Sequence, residues 1–181
     1  MNAQAEPKSR SAVTMLNRIL VPTDFSEESK KAFVYAAALA EQFNASLSVL
    51  FVLEMAPFMS GFETMPLVLD TSAAMSSARR ELSNWIQAQV PGTIPATPLV
   101  REGQGYAQIV EVARTEKIDL IVISTHGYTG LKHVLMGSTA ERVVRHAPCP
   151  VLVVRAKEHE FVSTASAGGT QSESRSSKQT I

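Results

Sequence analysis

Residues 120–130 have the sequence LIVISTHGYTG, in which an apolar run leads into a loop of small residues, and GSTAE follows at 137–141. The apolar run is typical of a buried strand. Ser138, with Glu141 three residues later, has the spacing of a capping box at a helix start. The first N–H groups of a helix have no intrahelical partner, and the helix dipole favours negative charge there. This strand, loop and helix start therefore predict an anion site, for which phosphate is the usual ligand.

The rest of the chain alternates apolar strands with helical periods. Predicted strands cover residues 17–21, 47–53, 97–100, 120–123 and 151–154, and predicted helices cover 27–43, 71–89, 107–116 and a segment beginning at Ser138. This alternation is typical of α/β proteins, in which helices cover both faces of a parallel sheet. Ligands bind such sheets at the carboxyl ends of the strands, where the strand order reverses. Two strands end in loops suited to that position, residues 22–24 and 124–130.

Two segments have more than one interpretation. Gly127, Gly130 and Gly137 either bring the backbone close to a ligand or only permit turns. The apolar segment 54–69 has no regular period and is long for a loop inside a compact domain. It is either a lid or oligomer contact, or a loop folded back on the core.

The composition argues against several classes of function. Lys and Arg together number 17, as do Asp and Glu, so the formal net charge is zero. A neutral chain is not expected to bind nucleic acid or to carry a polybasic membrane anchor. No apolar run approaches the roughly 18 residues of a membrane helix, and the N-terminus lacks the apolar region of a secretory signal. The chain has a single cysteine, Cys149, so it cannot form an intramolecular disulfide. A cytoplasmic location is therefore the default expectation.

Two distant stretches resemble one known family. Residues 19–26 have the sequence ILVPTDFS, and STHG at 124–127 leads through Gly-Ser at 137–138 to PCPVLVV at 148–154. These motifs, in this order, resemble those of the universal stress protein family over residues 17–155.

The resemblance implies a fold and an assembly. The expected fold is α/β, a single-domain open parallel five-stranded sheet in the order 3-2-1-4-5 with helices on both faces, of the adenine-nucleotide α-hydrolase-like class. The last strand, residues 151–155, would form a homodimer with its two-fold mate. We expect a flexible arm at 1–15, a universal stress protein domain at 16–157 and a disordered Ser/Thr-rich tail at 158–181, which is too poor in apolar residues to offset the entropy of ordering.

The family has a nucleotide-binding branch and a branch that does not bind. The binding branch has Gly, two residues, Gly, nine residues, Gly, and then Ser or Thr. Here the frame is Ser124, Gly127 and Gly137 followed by Ser138, so only the first glycine is replaced. Serine would be strained if that position needs a positive φ, whereas at an ordinary φ it adds only some crowding. The resemblance implies a dimeric stress-response regulator that binds ATP or AMP, with Mg²⁺ as a further candidate; the alternative is a dimeric interaction module without nucleotide.

The implied nucleotide-binding residues follow strands or begin the last helix. They are Pro22, Thr23, Asp24, Val52, Ile123, Ser124, Gly127, Gly137, Ser138 and Thr139. Residues 22–24 would line the adenosine end, with Asp24 at the base or ribose, and the Val52 backbone would lie near the adenine edge. Residues 123–124 would flank the ribose. Gly127 and residues 137–139 would hold the phosphates by backbone N–H groups and hydroxyls.

The sequence does not predict an enzyme. Neither a phosphate-binding GxxxxGK[ST] loop nor a G-x-S-x-G elbow is present. Asp24, holding Mg²⁺, and His126, as a base, would support at most slow ATP hydrolysis. His146 and Cys149 have the spacing of half a zinc site, but no second pair completes it, so no metal site is expected and Cys149 is expected to pack.

Phosphate charge would need a further offset, and the sequence offers three candidates. Lys132, His133 and Arg142 lie near the predicted phosphate loop, where they either neutralise the ligand or face solvent. The partners predicted beyond nucleotide and the second subunit are unknown regulatory proteins.

Overall fold

A five-stranded parallel sheet organises the computed structural model, which describes residues 15–54, 71–89, 92–125 and 136–155. The strands are β1 (Arg18–Thr23), β2 (Ser46–Leu53), β3 (Ala96–Glu102), β4 (Leu120–Ser124) and β5 (Val151–Val154). The helices are α1 (Glu27–Phe43), α2 (Ser72–Gln89), α3 (Gly105–Thr115) and α4 (Ser138–His146). The order is β3-β2-β1-β4-β5 with parallel pairing throughout, which confirms the predicted fold class.

Each central strand contributes to two cores, because successive side chains of a strand point to opposite faces. In β1, Ile19 and Val21 belong to the core beneath α1 and α2, whereas Leu20 belongs to the core beneath α3 and α4. All three side chains are fully buried. This two-sided burial explains why the strands are continuous apolar runs.

Local sequence signals set the bounds of α1. The Ser26 side chain accepts a hydrogen bond from the Ser29 N–H at the N-cap, and Asn44 ends the helix in the left-handed conformation with φ 54°. The helix therefore ends at Phe43, as its apolar period predicted.

The start of α3 differs from the prediction. The helix predicted to begin at residue 107 begins at Gly105, whose N–H donates to a carboxylate oxygen of Glu54 at 2.6 Å. Glu54 follows β2 and is distant in sequence, so the local pattern around Gly105 could not reveal this contact.

Some predictions fall on parts of the chain outside the described residues. These are the arm at 1–15 except Met15, the apolar segment 54–69 except Glu54, and the tail at 158–181. Among the helices that the structure describes, none combines the length and apolar character needed to cross a membrane.

Candidate functional site

A cavity of about 350 Å³ opens at the carboxyl ends of the central strands. β1 pairs with β2 on one side and with β4 on the other. The connection after β1 leads to β2, whereas the connection after β4 leads in the opposite direction, to β5. Such a reversal of strand order opens a crevice, which is the usual ligand position in open α/β sheets.

All predicted site residues except Gly127 line this one cavity. The lining residues that had been predicted are Pro22, Thr23, Asp24, Val52, Ile123, Ser124, Gly137, Ser138 and Thr139. Gly127 lies outside the described residues, as does His126. The pairing of β1 with β4 therefore brings two separate sequence motifs to one place. That these residues bind a ligand stays a prediction.

Side-chain hydrogen bonds fix the turn after β1. The Thr23 hydroxyl oxygen accepts from the Phe25 N–H at 3.1 Å and lies 3.1 Å from the buried Ser29 hydroxyl. The Asp24 carboxylate accepts from the Ser26 N–H at 3.1 Å and from the Ser26 hydroxyl at 2.5 Å. These bonds hold the half-buried Asp24 carboxylate in place at the cavity wall.

Aromatic packing supports the same turn. Phe25 has φ 64°, a conformation that is uncommon for a bulky residue and costs free energy. Its ring lies 5.0 Å from that of Phe51 and 6.1 Å, edge-on, from that of Trp85. Trp85 therefore packs with the core and also helps to hold the strained turn beside the cavity.

The start of α4 differs from the predicted capping box. Gly137, not Ser138, is the N-cap, and among the described residues no side-chain cap hydrogen bond is found at this helix start. The Glu141 carboxylate pairs instead with Arg145 at 2.8 Å. The reason is a long-range contact: the Gly137 N–H donates to the Thr125 carbonyl at 2.7 Å and so fixes where the chain enters the helix.

This contact also changes which groups are available to an anion. The Gly137 N–H, predicted to hold phosphate, is used by Thr125. The first hydrogen bond of α4 runs from the Glu141 N–H to the Gly137 carbonyl, so the N–H groups of residues 138–140 precede the intrahelical ladder. Ala140, which sequence reasoning missed, thereby joins Ser138 and Thr139 in the cavity wall.

Ser124 is not strained. It is the last residue of β4, and the positive φ values among described non-glycine residues belong to Phe25, Asn44 and Lys117. Its departure from the glycine of the nucleotide-binding branch therefore adds a buried side chain to the cavity wall without a conformational penalty.

The described lining contains two carboxylates and no cationic side chain. The carboxylates belong to Asp24 and Glu54. Arg142, a predicted charge offset, stacks over the Tyr106 ring at 5.0 Å and does not line the cavity. Lys132 and His133 lie outside the described residues.

Sequence reasoning missed the part of the wall built by other elements. The missed lining residues are Ser29, Leu50, Glu54, Gly105, Ile109, Thr125 and Ala140. Glu54 and Thr125 could have been found, because each is the first residue after an apolar strand and the carboxyl ends of neighbouring strands meet at one edge. Ile109 carried no such signal, since its place in the apolar period of α3 predicted only a core role.

Cys149 lies apart from the cavity lining. Its side chain is half-buried against the core beneath α3 and α4. Burial raises the pKa of the thiol above its ordinary value, the negative charge of Asp119 raises it further, and a hydrogen bond with the Ile121 backbone opposes both. Within the described ranges, no group of three or more His, Cys, Asp or Glu side chains could hold a metal ion.

The fold and the cavity define an open parallel α/β protein with a ligand-sized crevice at its topological switch point. Residues 15–155 match the universal stress protein family. The chain is 32% identical over 161 residues to a universal stress protein of Methanocaldococcus jannaschii, with 83% of this chain and 89% of the relative covered. The chain therefore belongs to the universal stress protein family, as its motifs predicted.

Further relatives show the same relationship. Universal stress protein A homolog 1 of Coxiella burnetii is 34% identical over 143 residues, covering 77% of this chain and 96% of the relative. The solved structure of universal stress protein UspA from Lactobacillus plantarum is 30% identical, with a TM-score of 0.61, and covers 77% of this chain and 98% of that one. The similarity thus spans most of the length of each of these relatives.

Proposed function

We propose that this protein is a stress-response regulator that binds an adenine nucleotide, ATP or AMP, in the cavity between β1 and β4. The observation that carries the proposal is the start of α4 in the cavity wall, where the N–H groups of residues 138–140 precede the intrahelical ladder. A helix N-terminus of this kind favours an anion, and the hydroxyls of Ser138 and Thr139 supply further donors. The cavity volume, about 350 Å³, falls within the range of about 300–1,000 Å³ usual for small-molecule sites.

The remaining wall suits a nucleoside. Leu50, Val52, Ile109 and Ile123 provide apolar surface from β2, α3 and β4. The Asp24 carboxylate, held by Ser26, is an acceptor for ribose hydroxyls or for the adenine amino group. An apolar wall with a few fixed polar groups is the usual composition of a nucleoside pocket.

We propose that occupancy, rather than turnover, is the output. The nucleotide would change the contacts of a homodimer formed through residues 151–155, or those of regulatory partner proteins, with any ATP hydrolysis slow. Asp24 would hold Mg²⁺ if a metal accompanies the phosphates. The cytoplasm is the proposed location, on the evidence of the single cysteine and the neutral composition.

A second candidate function has its own support. Ser124 replaces a glycine of the nucleotide-binding branch, and the described lining has two carboxylates and no cation. Both features favour a dimeric interaction module in which the cavity holds no nucleotide.

A proline variant at the start of α4 separates the two candidates. Ser138→Pro removes one N–H and one hydroxyl, yet proline is favoured at the first helical position, and Gly137, with ψ 151°, already has the extended conformation that a following proline requires. We expect calorimetry to show saturable binding of ATP and AMP to the wild-type protein. In Ser138→Pro, binding of both nucleotides should weaken about tenfold, because a hydrogen bond to a charged group contributes about 1.5–3 kcal/mol. Adenosine binding should be unchanged, because adenosine has no phosphate.

The matched control is Ser138→Ala, which keeps the N–H and removes only the hydroxyl. A smaller loss in Ser138→Ala than in Ser138→Pro assigns the phosphate to the backbone of the helix start. If wild-type protein binds neither ATP nor AMP at about 1 mM, with or without Mg²⁺, the nucleotide proposal is wrong and the interaction module is favoured.

A further inference from the structure

Glu54 caps a helix that is distant from it in sequence and that also lines the cavity. The residue follows β2, and its carboxylate accepts the N–H of Gly105, the first residue of α3, at 2.6 Å. The N-cap residue of α3, Gln104, makes no side-chain cap hydrogen bond. The carboxylate therefore occupies the place that an anion would take at this helix N-terminus, and its position is fixed.

The same carboxylate lies close to the first turn of α4. A Cβ built on Gly105 would lie 2.5 Å from a Glu54 carboxylate oxygen and 3.7 Å from the Thr139 methyl group. Glu54, Gly105 and Thr139 all line the cavity. A fixed negative charge thus stands beside the turn to which the proposed function assigns the phosphates.

This charge is not balanced within the described lining, where the other charged residue is Asp24. A negative charge beside the site repels a phosphate group even where solvent screens the interaction. The repulsion grows with the charge of the ligand, so a triphosphate is affected more than a monophosphate, and a neutral nucleoside is not affected.

We propose that Glu54 is a specificity-determining residue that makes the cavity favour adenine nucleotides of low phosphate charge, AMP before ATP, when no divalent cation is bound. This inference rests on the proposed nucleotide binding. It adds which nucleotide the site prefers without divalent cations and which side chain sets that preference.

Glu54→Gln tests the role of the charge, because the amide oxygen can still accept the Gly105 N–H. Binding of adenosine, AMP and ATP is measured by calorimetry in metal-free buffer at low salt. Relative to wild type, we expect unchanged adenosine affinity, a gain of a few-fold for AMP and a gain on the order of tenfold for ATP, the last shrinking as salt is raised.

Glu102→Gln is the matched control. Glu102 pairs in register with Leu53, one residue before Glu54, and its carboxylate contacts the Thr71 hydroxyl outside the cavity lining. The substitution removes the same charge from the neighbouring strand, and we expect it to change none of the three affinities by more than about twofold. An equal gain for ATP in both variants would mean that overall charge, and not Glu54, is responsible, and would overturn the inference.

The wild-type protein supplies a second measurement that does not depend on the variant folding. Without divalent cations, AMP must bind at least as tightly as ATP; tighter ATP binding overturns the inference and leaves the proposed function standing. Equal changes for adenosine and ATP in Glu54→Gln overturn it in the same way. If neither protein binds any of the three ligands, the proposed function fails, and the inference fails with it.

Discussion

Phe25 combines an unfavourable backbone with favourable packing. Its φ of 64° places it in the left-handed region, and its ring contacts those of Phe51 and Trp85. An L-residue in that region costs roughly 1–2 kcal/mol, which glycine avoids. The turn that carries Asp24 is thus held in a strained form by an aromatic cluster whose rings do not line the cavity.

The strain makes an unusual prediction for two truncations of Phe25. Phe25→Ala and Phe25→Gly lose the same aromatic contacts, but only glycine is relieved of the positive φ. We expect Phe25→Gly to be more stable than Phe25→Ala by about 1 kcal/mol in urea unfolding. Phe43, the last residue of α1 and half-exposed, is the control, because there the alanine variant should be the more stable one. The same order at both positions would show that the positive φ of Phe25 carries no strain.

At the scale of elements, local signals predicted what lies within an element and failed where a distant residue sets its end. The apolar runs of β1, β2, β4 and β5 and the apolar period of α1 are properties of neighbouring residues, and the structure confirms the strands and the helix that they predicted. The starts of α3 and α4 depend on Glu54 and on the Thr125 carbonyl, which reach the helices across the sheet edge.

The candidate site follows the same division. Its two strand-end motifs could be predicted because the strand order of a parallel α/β sheet brings them together. The contribution of α3, through Gly105 and Ile109, could not be predicted. The packing of the helix against the sheet determines which of its residues face the cavity, and the sequence of the helix alone does not specify that packing. Which N–H groups of α4 are available also depended on one long-range hydrogen bond, from Gly137 to Thr125.

The connection between α4 and β5 carries a pH-dependent group, Cys149. Burial, and then the charge of Asp119, raise the pKa of its thiol above the ordinary value of 9.0. Since the folded pKa lies above the unfolded one, the stabilisation is fully present below pH 9.0 and is lost as the pH rises through the folded value. We expect Cys149→Ala to remove the part of the stability decline that the wild type shows above pH 9.0.

The measurement is urea unfolding of both proteins at a series of pH values from neutral upward. Alkylation of the wild-type thiol gives an independent reading, because the thiolate is the reactive form and a raised pKa slows the reaction near neutral pH. Identical pH dependence in the two proteins, together with alkylation as fast as in the unfolded chain, would contradict the raised pKa.

At the scale of the whole molecule, the two edges of the sheet differ. β3 carries Pro98 and the charged residues Arg101 and Glu102, features that discourage pairing with another strand. β5 has the sequence VLVV and pairs with β4 on its one inner side in the sheet order. A formal net charge of zero leaves little long-range repulsion between copies. Of the two edges, β5 is the one that suits a second copy of the chain.

The predicted homodimer can be tested with one N–H of β5. The carbonyls of Pro150 and Val154 face β4, so by the alternation of a parallel ladder the Val153 N–H points away from β4, toward the outer side of the strand. Val153→Pro therefore removes a donor from the outer edge without removing one from the sheet, and Val153→Thr is the control that keeps the N–H and the side-chain shape.

We expect sedimentation equilibrium to give twice the 19.6 kDa chain mass for the wild type and for the threonine variant. The dimer of the proline variant should be weakened at least about tenfold, because one buried hydrogen bond is lost and the proline ring crowds the partner strand. A proline variant that stays folded and dimerises as tightly as the wild type would place the interface elsewhere, and a wild-type protein of 19.6 kDa would contradict the dimer itself.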